Sequence, residues 1–418
     1  MDIKEKIAAA NQQAVDNIVN SEPYWVDILP AKEVIEGLEG KIILHSGPYI
    51  EYKDMVDLHK RSMQNAALRE GYAKTAEEAD AMLRAGEIKL DAALNYNTLG
   101  NGAGVITPSL SMFVVEDRRT GLRAATIPME GDCEGGLCGW GRFSPEIDKN
   151  LDYMRDDIFP YIREYLHKIG GLAVKPILAE ALNMGDEHHT RQDAAGMILA
   201  KKMTTGLVKM GWPQNVLENV IHYVVDTPRL FHSVGMGACR VAMLPNIGLE
   251  YSTIVTCLCG NGVEFGMKVA GLGDQWFKIP APQLVGQYTS SKYSAKDAIP
   301  WFGDSCIVEC AGLGGIATSA APMVARIQGK SSRDAVQQTK NMQKICVGRN
   351  PNFTIANMEF DTLPVGIDIM RCLKNGIGPV LNGGNFHVDG GLIGAGFLEV
   401  PLELFQQGLR AFAAKYNK

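Results

Sequence analysis

The sequence predicts a mixed α/β (α+β) fold in which two α/β domains flank a central helical module. Three observations carry this expectation. Short apolar runs bounded by Gly, Pro and Asn, the signature of strands, lie before residue 130 and after residue 250. Between them, residues 144–246 read as successive helices with short connections. At 418 residues and 46% hydrophobic content, the chain exceeds what one core usually holds. The expected segments are 1–143, 144–246 and 247–418.

Residues 1–20 alternate charges with Ile3, Ile7, Ala14 and Ile18, an amphipathic helix rather than an apolar export signal. Residues 41–46 (KIILHS) form a buried strand closed by Gly47 and Pro48. Helices follow over 54–70 and from Thr75, which makes a capping box with Glu78 and stops near Gly86. Strands are expected over 88–94, 112–116 and 123–129, the last two joined by a turn at 119–121. Residues 95–104 (NYNTLGNGAG) read as a loop whose amides suit a polar ligand, although turns demand the same residues. Residues 131–141 (GDCEGGLCGWG) mark a boundary. Beyond it, Ser144 caps a helix with Pro145 at its first position, and helices over 173–182, 187–210, 213–225 and 228–244 complete the module.

In the last segment, strands over 253–258 and 263–270 meet at Asn261-Gly262, a strong hairpin signal. Residues 306–310 read as another strand, with Glu309 among apolar neighbours, and 312–315 (GLGG) open an apolar helix ending near Arg326. A glycine loop before a helix can bind an anion, but this spacing is not the dinucleotide fingerprint. A helix over 366–374 stops at Gly376, and residues 382–387 (NGGNFH) form a second Asn/Gly loop with His387 beside Asp389.

A net charge of −6 without basic runs argues against nucleic acid as partner and for a small molecule. No apolar run is long enough to span a bilayer, so a cytoplasmic protein is expected. Nine cysteines without repeated C-x-x-C spacing fit reduced thiols rather than disulfides or zinc.

The densest ionisable cluster is 183–191 (NMGDEHHTR), read as the polar start of a helix whose later turns pack. Two imidazoles beside two carboxylates and a guanidinium suit proton transfer near neutral pH. The competing structural reading makes Asp186 an N-cap and Glu187 with Arg191 an exposed i,i+4 pair.

Together, 183–191, 252–277 (STIVTCLCGNGVEFGMKVAGLGDQWF), 303–322 (GDSCIVECAGLGGIATSAAP) and 382–396 (NGGNFHVDGGLIGAG) resemble the YlbE/YahG (AllG-type) family, formerly a domain of unknown function. The likeness runs over nearly the whole chain. It implies a cytoplasmic protein acting on amide, ureide or carbamoyl compounds, either in an oxamate carbamoyltransferase system with partner subunits or as a cofactor-free hydrolase opening uracil to 3-ureidoacrylate. The carbamoyltransferase-like pattern carries His-His-x-Asn and then Gly-Pro-Met where this chain has 95–97 (NYN) and 100–102 (GNG). That departure points toward cyclic-amide hydrolysis, with carbamoyl transfer or a non-catalytic binding subunit as alternatives. A homodimer or higher homo-oligomer is expected, and no cofactor.

Ring hydrolysis needs a base for water and an acid for the departing nitrogen. Glu187 or Asp186 is the expected base, His188 or His189 the orienting or protonating group, and Arg191 an oxyanion partner. Asn97, Asn101, Asn261, Asn382 and Asn385 are expected to read the substrate's amide edge, with Glu309, Asp304 and His387 in reserve. A zinc site on His188, His189 and the neighbouring acids is the mechanistic rival, disfavoured because adjacent His side chains at a helix start diverge.

Overall fold

Hydrophobic pattern and capping together place the elements of this α+β chain. The computed structural model describes residues 2–130, 137–227 and 229–416. Helix α1 (Ile3–Val19) starts at a capping box between Asp2 and Glu5 and buries Ala14, Val15 and Ile18. β1 (Pro23–Pro30), the short α2 (Ala31–Val34) and β2 (Ile42–His45) follow. α3 (Asp57–Arg69) and α4 (Ala76–Ala85) come next, the latter capped by Thr75 and ended by a left-handed Gly86. Four strands then run to the boundary region: β3 (Lys89–Ala92), β4 (Thr98–Leu99), β5 (Ser111–Asp117) and β6 (Arg123–Thr126). The expected glycine-rich boundary at 131–141 lies mostly outside the described residues.

The helical stretch contains α5 (Pro145–Tyr153) and α6 (Phe159–Ile169), the two-residue β7 (Leu172–Ala173), and α7 (Lys175–Leu182). It continues through α8 (Asp193–Leu207), α9 (Gln214–Asp226) and α10 (Leu230–Met243). A five-stranded sheet of order β4-β6-β5-β1-β7 draws its edge strand from this stretch. Every residue of α10 is buried, as a helix apolar all round must be. It lies against β5 and β6, and Gly237 is required there because a Cβ would stand 2.6 Å from Val115 Cγ2.

The rest of the chain forms β8 (Val255–Asn261), β9 (Glu264–Val269), β10 (Phe277–Pro280), β11 (Val285–Tyr288) and β12 (Phe302–Gly303). Then come α11 (Ile307–Cys310), α12 (Pro322–Ile327), α13 (Ser332–Ile345), β13 (Cys346–Ile355) and β14 (Asp361–Ile367). α14 (Ile369–Asn375), β15 (Val380–Phe386), β16 (Leu392–Glu399) and α15 (Leu402–Tyr416) end it. The sheets here are β10-β9-β8-β12, β11-β16-β15 and the pair β13-β14, while β2 and β3 pair in parallel in the first part of the chain. The main hydrophobic cluster reaches from Val15 through α10 to Phe412, so the three parts of the chain share it.

Four expected elements differ. The apolar helix expected from 312–315 to Arg326 is a 3-10 run (Gly314–Ala320) followed by α12, because Pro322 lacks the N–H that would continue it. The helix expected from Glu187 begins only at Asp193, because the Glu187 carboxylate accepts the N–H groups of Thr190 and Arg191 and bends the backbone away from helix. Residues 306–310 are a helical turn rather than a strand; a short, fully apolar run has no period that separates the two. The Asn/Gly stretch from Asn382 is strand β15, paired with β16, its glycines serving close strand contact rather than a turn.

Candidate active site

The loop before α8 is folded around its own acids. Asp186 takes the Arg191 guanidinium on one oxygen at 2.8 Å and the Ala195 amide on the other at 2.8 Å, so it anchors the first turn of α8. Glu187 is fully buried, and burial raises its pKa. His188 adopts φ +71, unusual for a side chain other than Gly, and its Nε2 sits 2.9 Å from the Leu178 carbonyl. Burial lowers its pKa to about 4, so the ring is neutral and donates to that carbonyl. The left-handed turn at His188 sends His189 the other way.

His189 Nδ1 lies 2.8 and 2.9 Å from the two oxygens of Glu309, and its Nε2 lies 2.8 Å from Ser305 Oγ. Glu309, with no exposure, also accepts the amides of Gly315 at 2.9 Å and Asn382 at 3.0 Å. Those donors keep it aimed at the imidazole. Asn382 ties the acids together, because its side-chain amide donates to Glu187 at 3.0 Å while its backbone donates to Glu309.

Ser305 sits at the bend between β12 and α11. Asp304 sets that bend by accepting the amides of Gly47 and Gly100, each at 2.7 Å, and burial pushes its carboxyl up to about 7. Ser305 and His189 face a cleft of about 520 Å³, a volume that includes space open to solvent. Its polar side adds Asn101, Thr190, Arg229 and His232, and its apolar side includes Phe302 and Phe386. His232 stacks on His189 at 5.9 Å between ring centres and receives Gln192 Nε2 at 3.2 Å. Burial keeps His232 well below the usual histidine range and hence neutral. Arg229 stands at a left-handed position (φ +60) before α10, and burial lowers its pKa; among the described residues its guanidinium has no hydrogen-bond or ion-pair partner. It remains charged, as Arg does in proteins.

Residues 88–305 match the family model described as oxamate carbamoyltransferase subunit AllG. The chain is 34% identical over 417 residues to the uncharacterized protein YahG of Escherichia coli (strain K12), covering 99% of this chain and 88% of that one. It is 32% identical over 412 residues to the oxamate carbamoyltransferase subunit AllG of the same organism, covering 97% of this chain and 98% of that one. The chain belongs to the AllG family. A crystal structure of a conserved protein of unknown function from Enterococcus faecalis V583 has the same fold, with a TM-score of 0.94, 32% identity and 99% coverage of both chains. These AllG-family relatives lend no support to the uracil-hydrolysing branch expected from the sequence.

Within this AllG-family chain, one hydrogen-bonded network brings together Glu187, His189, Glu309 and Asn382; His189 carries it to the cleft, which Asn101 also lines. The other expected residues are engaged elsewhere. Asp186 and Arg191 bind each other at the α8 start, and His188 turns toward Leu178. Asn261 closes the hairpin by accepting the amides of Val263 and Glu264. Asn97 is exposed with its carbonyl taken by Ala125, and His387 accepts the Asp389 amide. Asn385 is buried, neither of its side-chain polar atoms has a hydrogen-bond partner among the described residues, and it does not line the cleft. Asp304 is clamped between two loops as described. The His188 and His189 rings diverge, and among the described residues no three His, Cys, Asp or Glu side chains converge as metal ligands. Ser305, Arg229 and His232 are the cleft groups that sequence reasoning missed. A Ser directly after the singled-out Asp304, and an Arg at the start of the helix expected over 228–244, were the available signals.

Proposed function

We propose that this AllG-family chain acts on the C–N bond of a small carbamoyl or amide compound, with His189 moving the proton. The observation that carries this reading is the line from the cleft through His189 to buried Glu309. With Nδ1–H held by Glu309, Nε2 is left as the acceptor for a proton from an attacking O–H, which it returns to the leaving nitrogen. Glu309 fixes the tautomer and offsets the charge of the imidazolium. Arg229, charged, at the cleft and without a hydrogen-bond or ion-pair partner among the described residues, binds a substrate carboxylate or a developing oxyanion. Carbamoyl transfer alongside partner chains is the favoured form, since a relative's name describes a subunit of an oxamate carbamoyltransferase. The apolar walls of Phe302 and Phe386, with Asn101 near them, suit a planar ring and favour a second reading, hydrolysis of a cyclic amide such as uracil to 3-ureidoacrylate.

Purified chain, alone and with the neighbouring gene products of its source, is to be tested with carbamoyl phosphate plus oxamate and with uracil and related imides. Turnover of a carbamoyl or amide substrate that depends on His189 is expected. Binding of all these compounds without turnover, in every combination, would leave a non-catalytic subunit instead.

A further inference from the structure

We propose that Ser305 is the nucleophile of this site and carries the transferred group as a covalent ester. The inference rests on the carbamoyl or amide reading above and names the group that attacks. Many hydroxyls elsewhere in the chain bond backbone carbonyls or acceptor side chains, as Ser46 Oγ does toward Gly102 and Thr253 Oγ1 toward Asp368. Ser305 Oγ instead has the imidazole Nε2 as its one side-chain partner among the described residues, at 2.8 Å. Because Glu309 holds Nδ1–H, Nε2 accepts and the Ser305 hydroxyl donates. The hydroxyl thus occupies the position from which His189 would otherwise polarise a water. Base, orienting carboxylate and hydroxyl within hydrogen-bond reach define an activated nucleophile.

The position is built as well as aligned. Gly303 has φ +125, a value glycine tolerates, and Asp304 binds the Gly47 and Gly100 amides, so the bend presenting Ser305 is held from both sides. Gly314, on the far side of Glu309, has no room for a side chain: a Cβ would stand 2.1 Å from Glu309 Oε1.

In the first step Ser305 Oγ forms a bond to the carbonyl carbon and its proton passes to His189 Nε2. The tetrahedral adduct collapses and the bond to the leaving group breaks; the leaving nitrogen of an amide, or the leaving oxygen of carbamoyl phosphate or an aryl carbamate, keeps the electron pair and takes the proton from Nε2. In the second step a water or amine acceptor gives its proton to Nε2 and bonds to the carbon. The Ser305 ester bond then breaks and Oγ recovers the proton. No oxidant or reductant is needed.

The full chain is incubated with p-nitrophenyl carbamate, following p-nitrophenol release and intact mass, with peptide mapping of the adduct. One carbamoyl group per chain on the Ser305 peptide is expected, with a stoichiometric burst. Ser305→Ala should show neither, Ser305→Cys should regain labelling, and His189→Gln should label roughly 10²-fold more slowly. Circular dichroism checks that the variants fold. An adduct on another residue, or no adduct on native protein, overturns the proposal, as does native-rate turnover by Ser305→Ala. Labelling of Ser305 without any carbamoyl or amide substrate in the screen would keep the nucleophile and sink the substrate class. Turnover by Ser305→Ala would do the reverse.

Discussion

Glu309 shows what a single buried carboxylate does here: it spends its oxygens on His189 and on two backbone amides rather than on a cation. Glu309→Gln keeps the size but replaces one acceptor oxygen by a donor, which disfavours the Nδ1–H tautomer. A loss of roughly 10²-fold in kcat with little change in KM is expected in steady-state assays, and unchanged kcat would remove Glu309 from that role. Arg229→Ala should act differently, raising KM for an anionic substrate about 10-fold or more while neutral analogues are unaffected. Equal losses for charged and neutral compounds would count against anion binding. His189 and Glu309 were legible in the sequence as ionisable groups in conspicuous places. Their pairing was not, because it joins residues 120 positions apart, and Ser305 lies 116 positions from His189. The other residues of 183–191 were legible as a cluster, yet folding turned most of them into supports for the loop that carries His189.

Caps and hairpins were read well because their chemistry is local: Thr75, Gly86, Ser144 with Pro145, and Asn261-Gly262 all act within a few residues of themselves. The misread elements depend on distant partners. Residues 382–387 look like a loop until β16 pairs with them, and 306–310 look like a strand until the bend at Asp304 turns them into α11. The junction after α11 is correspondingly tight. Gly314→Ala would place a Cβ against the Glu309 carboxylate at a left-handed φ of +56. A stability loss of about 1–3 kcal/mol by denaturant titration is expected, with an activity loss that exceeds it because Glu309 must move. Wild-type stability in that variant would show the junction to be looser than its geometry.

On the scale of the whole molecule, α10 is the shared core: its sides meet β5, β6 and α11, and its start brings Arg229 and His232 to the cleft. Composition announced an α+β chain of this size, but not that one helix would be buried on every side. Burial also links folding to pH. Asp304 titrates near 7 when folded against 3.8 for the free group, so the folded state holds its proton between those values and stability falls as pH rises from about 4 to 7. His45 and His188, lowered to about 4, act oppositely and cost stability as pH falls below 6.5. Asp304→Asn should therefore narrow the drop in melting temperature between pH 5 and pH 8, and an unaltered drop would assign it to other groups. The central claim is that His189, backed by Glu309, moves the proton in C–N chemistry at this cleft. Its most direct test is kcat/KM of His189→Gln on the substrate that the screen identifies, with melting temperature measured alongside. A fall of about 10²- to 10⁴-fold at near-native stability is predicted, and a kcat/KM close to that of the native protein would contradict the account.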